Sequence, residues 1–341
     1  MRVYDCRQTL QARRTNPLST WHVGGSGVVS PDPNHAANRI WRGYADVAVA
    51  YDGPRFTLAD PVFTMGSCFA RELEHALMVK GGRVVNVDRR TLGPEFGSPE
   101  ISPPGFFYRF TPWAMWQEFK RCFDEMPGWS EDALIMRGGT AGGVVDLHYG
   151  KGVGLPASLE DTLARRQVAR DLVRRVARAR IVVLTLGLIE AWRHRPTGLY
   201  VNHPRVKLLA NHAEDFELRV MECEDVVACL EDLHDLLRRR HVDGDFEFVV
   251  TVSPVPMDST FLDIDVTVAN TESKAVLRAA AATFAARHPR VRYFPSYELV
   301  TLSSPEVAWR PDRRHVNREM VDLIIERFLQ AYYKIPAAQS L

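Results

Sequence analysis

Cysteine is scarce in this chain, and its few cysteines do not cluster. Cys6, Cys68, Cys122, Cys223 and Cys229 form no C-x-x-C pair and share no zinc spacing with histidine. An odd, scattered set argues against a disulfide framework and for reduced thiols in a cytoplasmic protein. An excess of charge is missing too. With 43 Lys and Arg against 42 Asp and Glu, the net charge is +1. That removes the global field that nucleic acid or an anionic membrane would need. No run reaches transmembrane length, and the opening MRVYDCRQTLQARRTN has no apolar signal core. Repeats and low-complexity segments are absent. The glycine-rich 138–143 lacks the lysine and helix of a phosphate loop and reads as a flexible loop. Nothing in the sequence calls for a metal or a cofactor.

What is present is 46% hydrophobic and 25% charged, ordinary material for a globular core. Residues 1–55 show no sustained period and read as an extended N-terminal arm; residues 56–341 read as one domain. Within it, apolar runs at 61–65, 83–87, 181–186, 246–252 and 291–294 alternate with helical patterns at 68–80, 159–179, 224–240, 272–288 and 316–333. A further helix starts near Thr111-Pro112, and 192–220 alternates like a hairpin turning at Thr197-Gly198. The expected product is a mostly parallel five-stranded sheet with helices on both faces, an α/β fold. Working residues of such sheets sit beyond the carboxyl ends of the strands.

Ser67 falls at such a place, between the first strand and its helix. A serine there has two readings. It caps the helix, or it is a nucleophile beside N–H groups that favour negative charge. Asp312 and His315, three apart and expected on a first helical turn, are the matching orienting group and base. Their competing reading is a helix cap and a surface histidine. Gly187, after the 181–186 run, is either a turn glycine or a second oxyanion donor. Asn86, Asn202 and Asn270 are candidate side-chain donors. Cys68 reads as a small buried hydrophobe; His148, His194, His203, His212 and His234 read as structural or exposed.

Gly66-Ser67-Cys68-Phe69-Ala70 resembles the naming motif of the GSCFA family, which is similar to the SGNH/GDSL hydrolases. Further blocks resemble that family in the same order: Thr185-Leu186-Gly187-Leu188-Ile189-Glu190-Ala191-Trp192, Thr251-Val252-Ser253-Pro254-Val255-Pro256, Ala269-Asn270-Thr271-Glu272-Ser273-Lys274, Tyr293-Phe294-Pro295-Ser296-Tyr297-Glu298 and Asp312-x-x-His315. The resemblance implies a flavodoxin-like three-layer α/β/α sandwich, a serine nucleophile at Ser67 and Asp312/His315 as the acid/base pair. Gly66 stands where SGNH enzymes carry an aspartate before the serine, and no G-x-N-D block supplies their oxyanion asparagine; Asn270 is the nearest candidate. The expected activity is a serine esterase or O-acyltransferase acting on small acyl esters of a carbohydrate or metabolite. The alternative is a catalytically inactive SGNH-like binding or partner module. A homo-oligomer is compatible with the sequence; nucleic-acid and membrane partners are not expected.

Overall fold

The computed structural model describes residues 3, 5–49, 51–86, 108–138, 143–149 and 158–334, without the side chains of Cys68 and Phe69. Two helices come first, α1 (Cys6–Thr15) and α2 (Ala36–Arg39). There follow β1 (Val62–Gly66), α3 (Cys68–Val79), α4 (Pro112–Cys122), β2 (Ile135–Arg137), β3 (Val144–Asp146), α5 (Leu159–Arg174) and β4 (Ile181–Leu186). An inserted stretch holds β5 (Glu190–His194), β6 (Tyr200–Val201), α6 (Val206–Asn211) and β7 (Phe216–Val220). The chain continues through α7 (Cys223–Arg240), β8 (Glu247–Val252), α8 (Val266–Ala285), β9 (Val291–Phe294), α9 (Ser296–Thr301), α10 (Pro305–Ala308) and α11 (Arg318–Tyr332).

β1, β4, β8 and β9 pair in that order as a parallel sheet. β4 and β8 are buried along their whole length, which is why they read as unbroken apolar runs rather than alternating ones. Side chains alternate across a pleated strand, so the sheet feeds two cores. Phe63, Met65, Val182, Leu184, Phe248 and Val250 pack with residues of α4, α5, α7 and α8. Val62, Ile181, Val183, Val249 and Phe294 pack instead with α3, α9 and α11.

Four strands are described where five were expected. The run at 83–87 is reduced to one bridge, Val62↔Val84, and Val87 lies outside the described residues. Asn86 supplies the reason. Its amide accepts from Thr64 N at 3.2 Å and donates to Thr64 O at 2.8 Å, so one side chain does what a strand would do along that edge. The expected hairpin is a three-stranded antiparallel sheet, order β6-β5-β7, with its turn at Thr197 and Gly198 and with α6 inserted. The 138–143 loop follows β2; Gly139–Gly142, like Phe106 and Phe107, lie outside the described residues. α8 starts six residues before the expected 272, because the Asp265 carboxylate accepts from Thr267 N at 2.7 Å and caps it there.

The N-terminal segment is not wholly extended, since residues 6–15 form α1, which buries nothing. Residues 41–49 and 51–56 lie as a strap over the end of the domain. Trp41 N donates to Leu302 O, Ala45 N to Ser303 Oγ, and Phe56 pairs with Tyr332 and Lys334. No described helix is long and apolar enough to cross a membrane.

Candidate active site

The strand end that carries Ser67 is crowded. Gly66 has φ +150°, and a Cβ there would lie 2.4 Å from Thr185 O and 2.6 Å from Thr185 Cβ. Only a glycine lets β1 run so close to β4 before turning into α3. Ser67 occupies the N-cap position of α3 with an extended backbone, but its side chain accepts no cap hydrogen bond. It is 5% exposed, and its Oγ has no hydrogen-bond partner among the described residues. The capping reading therefore fails on geometry: of the first turn of α3, Ala70 N donates to the Ser67 backbone carbonyl at 3.0 Å, not to its hydroxyl. A buried hydroxyl without a partner costs about 1–3 kcal/mol, and such groups call for an explanation.

Ser67 is not alone in this state. Thr185 Oγ1 and Ser253 Oγ, both buried, also lack partners. The register Gly66↔Thr185↔Thr251 puts Thr185 on one face, and Ser253, two residues beyond Thr251, returns to that face. It is the face covered by α3 and α11. Three unbonded hydroxyls thus lie at the carboxyl ends of neighbouring strands.

Asp312 and His315 form a pair ahead of α11. His315 Nδ1 lies 2.6 Å from Asp312 Oδ2, while Asp312 Oδ1 accepts from the backbone N–H of Arg314 at 3.0 Å and of His315 at 2.9 Å. The bond to the His315 ring, and then these two amides, hold the Asp312 carboxyl well below its usual range. The pair does not sit on a helical turn, as the spacing suggested. Arg313 adopts φ +55°, which breaks any helix, and α11 starts only after Asn317, its N-cap position. A tight turn, not a helix, brings positions 312 and 315 together. Asp312 is thus no helix cap, and half the His315 side chain faces solvent.

Two ion pairs draw this turn toward the Ser67 end of the sheet. Arg318, the first residue of α11, meets Glu72 of α3 at 3.3 Å, and Arg314 meets Asp258 of the loop beyond β8 at 3.6 Å. Among the described residues no hydrogen bond joins Ser67 Oγ to His315.

The expected donors fare differently. Gly187 N donates to Phe110 O at 3.1 Å, as does Leu188 N at 2.8 Å, so the Gly187 amide is engaged and does not face an oxyanion. The cause is a cross-piece, residues 108–110, laid over the ends of β1 and β4. Arg109 N donates to Gly66 O, and the Asn202 amide bonds Tyr108 O and Phe110 N. A Cβ on Gly187 would sit 2.7 Å from Phe110 O. Asn202 and Asn86 are thus fixed on backbone, and Asn270 Oδ1 accepts from Met257 N at 3.2 Å, tying α8 to the loop beyond β8.

Beneath the cross-piece, Arg109 and Arg121 both pair with Glu118 at 2.9 Å, and His148 bonds the same carboxylate. Burial opposes ionisation of Glu118, but the two guanidiniums override it and hold the carboxyl well below its usual range. His148, pushed down to about 4 first by burial and next by Arg109, is a structural histidine. Lys274 escaped the sequence reading. It is buried on α8, and the signal was available: it stands on the same stripe as Leu277, Ala281 and Phe284.

Among the described residues, no group of His, Cys, Asp and Glu has the arrangement of a metal site. No curated protein matches the chain significantly. The model of the GSCFA family matches residues 61–328, a span that takes in Ser67, the cross-piece and the Asp312–His315 turn, and the chain belongs to the GSCFA family.

Proposed function

We propose that the chain is a serine esterase or O-acyltransferase that works through an acyl-enzyme on Ser67. One observation carries this reading: the Ser67 hydroxyl is buried and unbonded at the N-terminus of α3, the helix to which the Arg318–Glu72 ion pair ties the start of α11, just past the Asp312–His315 pair. Asp312 fixes the His315 tautomer by accepting at Nδ1 and leaves Nε2 to act as base. Ser67 Oγ attacks the ester carbonyl carbon, and its proton passes to His315. The carbon–oxygen ester bond then breaks, and the leaving alkoxide takes that proton. Water or an acceptor hydroxyl repeats the sequence on the acyl-enzyme and frees Ser67. Donors for the oxyanion are the Ser67 amide and the first turn of α3; Gly187 joins them only if its bond to Phe110 opens.

The same reading takes the fold as a flavodoxin-like three-layer sandwich akin to SGNH hydrolases. The two cores fed by alternate strand residues and the strand order support it. The substrate class is a small acyl ester of a carbohydrate or metabolite. Tyr108 and Phe110, whose rings stack 6.1 Å apart, belong to the cross-piece bonded to Gly66 and Gly187, and aromatic cover beside the strand ends suits a short acyl chain.

A fluorophosphonate probe tests the reading. Wild type is expected to label, Ser67→Ala to lose the label and Cys68→Ala to keep it. Full labelling of Ser67→Ala sinks the assignment, and a wild type that never labels favours an inactive binding module.

A further inference from the structure

Lys274 is buried, and among the described residues no carboxylate pairs with it. The side chain is 1% exposed, and its Nζ donates to Gly187 O at 2.8 Å and to Val255 O at 2.9 Å. The turn beyond β4 and the turn beyond β8 each present a carbonyl to it, not a charge. The charged groups nearest in sequence to Lys274 and to its partners Gly187 and Val255 are engaged elsewhere or exposed. Glu190 bonds Thr260 and Phe261, Arg278 pairs with Glu298, Asp258 pairs with Arg314, and Glu272 is exposed. A neutral amine has two N–H donors, matching the two carbonyls; an ammonium would bring a third, for which the described residues offer no acceptor. Burial accordingly lowers the group from 10.5 to about 7.

We propose that Lys274 is a positioning residue for the Ser67 site: by holding Gly187 O and Val255 O together it fixes the loops beyond β4 and β8 against each other. One loop adjoins the Gly66–Thr185 contact that sets Ser67. The other carries Ser253 and, through Asp258, reaches Arg314 beside His315. The effect on chemistry rests on the nucleophile reading of Ser67; the clamp itself does not.

The sign of the pH effect follows from the two titration points. Below about pH 7 the lysine is charged whether the clamp is closed or open. Between about 7 and 10.5 only the open form holds the extra proton, so closure strengthens as pH rises, by up to about tenfold per pH unit.

The test uses the full chain and two readouts, the rate of fluorophosphonate labelling and amide hydrogen exchange of residues 186–190 and 253–258. In Lys274→Met, labelling is expected to slow at least about tenfold, and both loops to lose protection. Lys274→Gln, which keeps a two-donor NH2 head, should recover part of each. In wild type, protection corrected for intrinsic exchange should climb from pH 7 to 10, and this climb should vanish in Lys274→Met. Unchanged labelling with unchanged loop protection in Lys274→Met overturns the proposal, as does slowed labelling with both loops still protected. If that variant does not fold, wild-type protection independent of pH between 7 and 10 overturns it. A wild type that never labels refutes the nucleophile and, with it, the positioning role, while loop exchange still reports the clamp.

Discussion

Replacing His315 by alanine is expected to lower turnover of an aryl acetate by at least about 10³-fold while the fold survives. The separation of the two effects follows from where the ring sits. Half the His315 side chain faces solvent, and among the described residues its one side-chain partner is Asp312. Truncation therefore removes little packing, and surface changes of this kind stay within about 0.5 kcal/mol. Groups that act as one unit lose their effect together, so Ser67→Ala/His315→Ala should be no slower than Ser67→Ala alone. Asp312→Asn keeps an oxygen for the Arg314 and His315 amides but turns an NH2 toward Nδ1, and should cost about 10³–10⁴-fold. Multiplicative losses in the double variant would show that Ser67 and His315 do not share a step. A melting temperature that collapses in His315→Ala would make the histidine structural.

The largest stability effect belongs to Gly66. In Gly66→Ala the new methyl meets the carbonyl oxygen, Cβ and Cα of Thr185 at 2.4, 2.6 and 2.9 Å, and the residue must hold φ +150°. Two of the three atoms are backbone of a central strand, so relief means parting β1 from β4. The expected loss exceeds about 4 kcal/mol, read as a shifted urea midpoint or as failure to accumulate folded protein. Gly25→Ala is the control, because a Cβ there meets nothing within 4 Å; it should move the midpoint by no more than about 1 kcal/mol. An unshifted midpoint in Gly66→Ala would mean the strand ends are further apart than described.

The legible parts of the molecule were those governed by neighbours in sequence. β4 and β9 fall on the residues their apolar runs marked, and the Thr111 cap with Pro112 behind it started α4 where expected. What escaped depends on partners far along the chain. Asn86 replaces a strand edge through its amide, a substitution no period announces. Gly187 looked free because Phe110, which holds its amide, lies 77 residues earlier. The Asp312–His315 spacing was a sound sign of a pair, but the left-handed Arg313 makes the contact by a turn that sequence does not distinguish from a helix. Lys274 shares the buried stripe of α8, but periodicity alone does not tell a buried lysine from one that reaches solvent, because its carbonyl partners lie in two distant turns.

The strap over the end of the domain bears on how the chain is made. Ala45 waits for Ser303, 258 residues later, and Phe56 for Tyr332 and Lys334. A ribosome adding about 5–20 residues per second needs on the order of tens of seconds to deliver those partners. Throughout that interval the apolar side of the strap, with Val47, Val49, Tyr51 and Phe56, has no core to join. The strap thus leaves the exit tunnel long before the partners that bury it, and over that interval its apolar side is open to chaperones.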